Sequence, residues 1–306
     1  MSGFVQAVSY VQVDVADDGR IALVAVSDDP SARDVLHALA FVRAVDGKWS
    51  GCLLNNRLVG IHLSLPGEPF DALGLAIDGG VCRIVDSQAE WSLVEVGDEG
   101  PNTLVPLIVS RRIGDGRIVA TGMQRRTYAG DASGWRRIDA GLRIEDTAIG
   151  GLMTIDGSST EELWAGGYSG EIWHRVAGHW SRIDSPTNGK IVAMRQYDDG
   201  SVIVAGLKGL AFIGRDGGWR QIGGLEPYTA VAIESFHGRT YAAVMGGALY
   251  VLEPDGFRRD EEIGGFPVYA MRACGNALLV AGPFGLRMRD TAGWREVAPP
   301  IPVGPP

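Results

Sequence analysis

The stretch Lys190–Gly223 reads KIVAMRQY, DDG, SVIVAG, LKG, LAFIGR, DGG, WRQIG, and it decides the fold. Four short runs alternate apolar and polar residues, and each run stops at a Gly or Asp-Gly pair suited to a tight reversal. No run has the length or the 3.6-residue period of a helix. The unit is therefore four short antiparallel strands ending in a Trp-containing segment.

The same unit recurs along the chain. Its aromatic mark stands at Trp49, Trp91, Trp135, Trp180, Trp219, Phe257 and Trp294, with successive spacings of 42, 44, 45, 39, 38 and 37 residues. Phe257, in Asp-Gly-Phe-Arg-Arg, is a degenerate copy of its Trp neighbours. A sheet of this size cannot bury both faces alone, so seven copies predict one closed ring in which each sheet packs on the next. The expected fold is an all-β, seven-bladed β-propeller of four-stranded antiparallel blades. It fills a single domain over 1–306, with blades near 6–54, 55–98, 99–140, 141–186, 187–224, 225–262 and 263–300. The chain enters through an inner strand and leaves through an outer one. Closure is thus expected to rest on packing of blade one against blade seven, helped by the tail APPIPVGPP.

Composition agrees. The 44 glycines among 306 residues are about twice the usual share of roughly 7% and are spread along the chain, as many tight turns require. A formal charge of −9 argues against nucleic acid or an anionic membrane as partner, since both select a basic face. No apolar run approaches a membrane span, and the N-terminus lacks a basic segment followed by an apolar run and a cleavage site. A cytoplasmic location is expected. Cys52, Cys82 and Cys274 are odd in number and far apart, which implies buried thiols rather than a disulfide framework or a zinc site. No metal and no cofactor are implied.

Blade four, with Gly157-Ser158-Ser159-Thr160-Glu161-Glu162-Leu163-Trp164-Ala165-Gly166-Gly167, then Gly170-Glu171-Ile172-Trp173-His174 and Gly178-His179-Trp180, resembles the bacterial WD40/YVTN/BNR-like propeller repeat. The likeness is close in this blade and loose in the other six. The Gly-His and Trp-Asp pairs of true WD40 repeats are missing. The Asp-box of sialidases is not met either, because Asp216-Gly217-Gly218-Trp219 is too short and lacks its Ser. Bacterial chains with such repeats occur among secretion and toxin systems. The resemblance thus implies a protein partner and, more specifically, an immunity protein that caps a toxin. The acidity would suit a basic toxin.

Two groups of residues are candidates for function. Aligning the first strands gives a polar column of Asp14, His62, Ser110, Thr154, Arg195, Glu234 and Arg272, expected to ring the central channel. It is either an active site, with Glu234 or Asp14 as base and His62 as a second titrating group, or a hydrated lining of mutually paired charges. The second reading predicts only a modest stability cost for Glu234→Gln or His62→Ala. The other group lies on the longer loops. Turns after the first and third strands are short and stereotyped, whereas the opposite connections vary, and irregular loops on a rigid scaffold are where binding residues gather. Arg33, Asp34, Arg125, Arg126, Tyr168, Tyr228 and Phe284 are the candidates there, because Arg and Tyr commonly anchor interfaces. A single helical turn is expected after Asp29-Pro30.

No Gly-x-Ser-x-Gly, phosphate loop or His-Glu-x-x-His is present. A non-enzymatic binding propeller is therefore favoured over a lyase or hydrolase acting at the channel mouth, or an assembly scaffold.

Overall fold

A computed structural model describes residues 8–28, 38–94, 105–142, 150–283 and 285–301. Among the described residues 28 strands, numbered β1 to β28 in chain order, form seven four-stranded antiparallel sheets, each built from consecutive strands. The inner strands are β1 (Val8–Val15), β5 (Leu58–Leu63), β9 (Leu107–Arg112), β13 (Leu152–Ser159), β17 (Ile191–Gln196), β21 (Ala230–Phe236) and β25 (Ala270–Cys274). Each lies beside the next, and β25 lies beside β1, so the ring closes.

The hydrophobic core is divided into seven, one slab between each pair of neighbouring blades. Blade one meets blade seven through Tyr10, Leu23, Leu279 and Met288, among others. No strand is exchanged among the described residues. Side chains complete the closure: Trp49 Nε1 donates to the Ala298 carbonyl at 3.0 Å and the Tyr10 hydroxyl donates to the Ile301 carbonyl at 3.2 Å. The packing expected between the first and last blades is present. The proline tail beyond Ile301 lies outside the described residues.

The Trp mark has a physical reason. Trp180 Nε1 donates to the Ile138 carbonyl at 2.7 Å, and Trp219 Nε1 to the Asp184 carbonyl at 2.7 Å, each in the blade before it. In these blades, as at Trp49, the indole clasps one outer strand to the next, a bond worth about 1 kcal/mol net, whereas the buried Nε1 of Trp135 and of Trp294 has no such partner. Phe257 keeps the apolar body, only 3% exposed, without the donor. Trp91 departs from the pattern. The other aromatic residues pair one step inside the hairpin (Gly214 with Trp219, for example), whereas Trp91 pairs with Cys82, two residues further along. Ala89 occupies the equivalent place and packs into the core, leaving Trp91 43% exposed.

The recurrent glycine at the end of the second strand also has a cause. A Cβ on Gly122, Gly167, Gly206 or Gly282 would overlap the carbonyl of Pro106, Gly151, Lys190 or Pro267, where the inner strand begins. On the opposite face the stereotyped turns are held by Asp side chains. Asp18, Asp115 and Asp199 accept the N–H two residues on, at 3.0, 3.0 and 2.8 Å.

Candidate functional site

The channel is built by a register common to all the inner strands. Six of them carry a bulge near the start, at Val11, Val59, Ile108, Met153, Val192 and Val231. In the seventh, Tyr269 donates its N–H to the Ala281 carbonyl although Ala270 already faces Ala281. A bulge bends a strand and re-aims the extra side chain. All seven bulge residues are apolar, and all seven line a cavity of about 260 Å³ at the channel mouth. They form an apolar collar.

Three residues beyond each bulge stands a ring of titratable side chains: Asp14, His62, Arg111, Asp156, Arg195, Glu234 and Arg272. Their cross-strand partners are Ala22, Leu73, Val119, Trp164, Ile203, Tyr241 and Leu279. Two sequence assignments are thereby corrected. Ser110 lies one residue short of the ring and Thr154 two residues short, and both still line the cavity. In blade four the inner strand runs eight residues to Ser159 and its hairpin contains a second register shift between Gly157 and Ser159, so alignment by apolar pattern places the column too early.

Corrected in this way, the ring alternates in charge. Arg111 reaches Asp156 at 2.6 Å and, across the channel, Glu234 at 3.0 Å. Arg195 lies 3.6 Å from Asp156 and 3.7 Å from Glu234. Arg272 lies 3.4 Å from Asp14 and 3.5 Å from Glu234, and donates to the Arg112 carbonyl on the far side at 2.9 Å. Asp14 accepts the Leu63 N–H and Asp156 the Gln196 N–H, both at 2.8 Å, so each reaches the following blade. Three acids and three arginines cancel. The ring spans the channel from Arg111 to Glu234 and ties the blades together.

Burial shapes its titration. Desolvation pushes the Asp14 carboxyl above the ordinary carboxylate range, against the pull of Arg272, the Leu63 N–H and Arg112. His62 is pushed well below 6.5, first by burial and then by Arg112, Arg272 and Arg111. Its Nε2 is 2.9 Å from Ser110 Oγ. Burial works against the Arg111 charge, but Asp156 and Glu234 more than offset it and raise its pKa. Glu234 is 1% exposed and faces three guanidinium groups. It is not a solvated group, and this geometry makes its replacement costlier than the modest change expected from sequence. Among the described residues no three His, Cys, Asp or Glu side chains are grouped to hold a metal.

The loop candidates divide. Arg33, Asp34, Phe284 and the turn after Asp29-Pro30 lie outside the described residues. Arg125 is spent within the fold: its Nε donates to Glu171 Oε2 at 2.6 Å and its guanidinium stacks 5.0 Å from the Trp173 ring. Arg126 is 6% exposed. Tyr168 is half-buried, with Lys190 Nζ 4.3 Å above its ring. Tyr228 is 43% exposed, its ring 6.4 Å from that of Tyr250. Sequence pattern could not separate these, because Glu171 is 46 residues from the Arg125 it binds. The collar did leave a signal in the sequence, an apolar residue three places before the ring in every blade.

No family model matches the chain. Among solved structures it superposes on the WD40 propeller domain of Doa1 with a TM-score of 0.68 at 12% identity, covering 94% of this chain and 93% of that one. It also superposes on YCF48 from Cyanidioschyzon merolae, with a TM-score of 0.64 at 14% identity over 94% and 96% of the two chains. Virginiamycin B lyase from Staphylococcus aureus gives 0.67 at 14% identity over 91% and 93%. The chain has a WD40-like, seven-bladed repeat-propeller fold. These likenesses concern fold alone, since one propeller hosts unrelated activities. A curated relative adds more: the chain is 37% identical over 111 residues to the Immune protein Tsi7 of Pseudomonas aeruginosa. That match spans 35% of this chain and 36% of the relative, about a third of its length. No described helix is long and apolar enough to cross a membrane.

Proposed function

We propose that this propeller is a non-enzymatic, cytoplasmic immunity protein that neutralises a toxin by binding it through the variable loop face. The observation that carries this reading is the local 37% identity to the Immune protein Tsi7. The ring supports it from the chemical side. The two carboxylates that a channel enzyme would use as base, Asp14 and Glu234, are each engaged by arginine. The net charge of −9 suits a basic toxin, whose encounter it would accelerate. Tyr228, with Arg33, Asp34, Tyr168 and Phe284, remains the proposed contact set on the loops, and Arg125 and Arg126 are given up as direct anchors.

The test is co-expression in a bacterial host with each toxin-like product encoded beside this chain. Restored growth, together with a complex that survives gel filtration, is the expected result. Full toxicity in the presence of abundant folded propeller would reject the proposal.

A further inference from the structure

We propose that the cavity at the channel mouth binds a small uncharged molecule, one apolar ring bearing a carboxamide or another group that both donates and accepts hydrogen bonds. The inference is independent of the immunity reading, and each can fail without the other.

The cavity is built in layers. Directly below the apolar collar, the next residue of each inner strand sets the character of the wall. On blades one and four it is Gln12 and Thr154, whereas on blades five to seven it is Ala193, Ala232 and Ala270. Blade two carries Gly60 there, and a Cβ on it would overlap Ser110 Oγ of blade three. The missing side chain is what admits that hydroxyl, and Ser110 lines the cavity too. Blades one, three and four thus bring an amide and two hydroxyls, and the facing blades bring methyl groups.

The polar side works in both directions. A carboxamide or a hydroxyl carries a donor and an acceptor together. Ser110 Oγ is 2.9 Å from His62 Nε2, while His62 Nδ1 is buried without a hydrogen-bond partner among the described residues. No second hydrogen bond therefore fixes the tautomer of His62. With the proton on Nδ1, the Ser110 hydroxyl donates to the ring and accepts from a ligand. With the proton on Nε2, it accepts from the ring and donates to the ligand. Ser110 can match either edge of an amide.

The floor excludes charge. Arg111, Glu234 and Arg272 line it, and all are already paired. Arg111 lies 3.0 Å from Glu234 and 2.6 Å from Asp156, and Arg272 lies 3.5 Å from Glu234 and 3.4 Å from Asp14. A charged ligand would lose its hydration and find no free counter-charge. Size selects one ring. The cavity of about 260 Å³ exceeds the roughly 150 Å³ that encloses benzene, which leaves room for one substituent.

The test is methyl NMR of the full chain labelled at its methionines and titrated with benzamide or with benzoate, its charged analogue of the same size. Met153, Met194 and Met271 line the cavity, whereas Met245 and Met288 do not. Benzamide is expected to shift the three cavity methyls and leave Met288 in place, with a Kd on the order of 1 mM. Benzoate should bind at least about tenfold more weakly. Ser110→Ala should weaken benzamide about tenfold through the lost hydrogen bond. Ala232→Leu, which fills the apolar side, should abolish the shifts. Val231→Trp should do the same from the collar, at a residue 38% exposed where the core is not disturbed. Benzoate binding as tightly as benzamide, Ser110→Ala binding like wild type, or cavity methyls unmoved at about 10 mM benzamide would each overturn the inference.

Discussion

Glu234→Gln probes the charged ring most sharply. The wild-type carboxylate lies 3.0 Å from Arg111, 3.5 Å from Arg272 and 3.7 Å from Arg195. Removing its charge leaves three arginines opposite two acids around a carboxyl position that is 2% exposed. Breaking a buried pair from one side costs about 3–5 kcal/mol, and Gln keeps the shape and one acceptor, so about 3 kcal/mol is expected. For a chain of this length that is a fall of roughly 5 °C in melting temperature. The companion variant Glu234→Met with Arg111→Met removes one charge of each sign and should recover a good part of the loss. Glu253→Gln is the control. It breaks an exposed pair with Arg239, of 38% and 43% side-chain exposure, and should change stability by less than about 0.5 kcal/mol. Urea and thermal unfolding of the four proteins decide the matter. A Glu234→Gln variant as stable as the Glu253 control would refute the ring as a structural clasp.

Three further outcomes follow from the same geometry. Asp156→Asn should destabilise the protein by about 2 kcal/mol or more, because it leaves Arg111 and Arg195 short of a partner, while Thr154→Val should cost under about 1 kcal/mol; equal losses would contradict the corrected register. His62 is held neutral in the fold but protonates near 6.5 when unfolded, so stability must fall as pH drops below 6.5. Stability should decline from pH 6.5 to 5.5, and His62→Gln should flatten that slope in pH-resolved urea melts. Trp219→Phe should cost about 1 kcal/mol through its lost bond to the Asp184 carbonyl, whereas Trp91→Phe should be silent in the same unfolding assay.

How far the fold was legible depended on how local its signals are. Asp-Gly turns, alternating runs and a Trp every 37 to 45 residues are short-range features, and they carried the seven blades. Trp91 was misplaced because spacing alone cannot reveal that Ala89, two residues earlier, has taken the core position. The ring was legible in five of seven blades. It failed at Thr154, where a longer strand and a second bulge shift the register, and at Ser110, where two polar residues, Ser110 and Arg111, follow the last apolar one and the pattern selects the first. The alternation of charge, which gives the ring its meaning, emerges only once Arg111 and Asp156 are in place. Arg125 and Arg126 looked like surface anchors because nothing nearby in sequence announces Glu171 or the burial that encloses them. The collar was present in the sequence, yet an apolar residue in a strand reads as core until the bulge turns it toward the channel.

The central claim is that the propeller acts by binding a toxin, and calorimetric titration of the purified chain into its purified toxin, with toxin activity followed in parallel, tests it most directly. Saturation at one propeller per toxin, with activity abolished at that same ratio, is the expected result. A toxin that remains fully active when saturated, or a propeller that turns over a small molecule with no partner present, would contradict it.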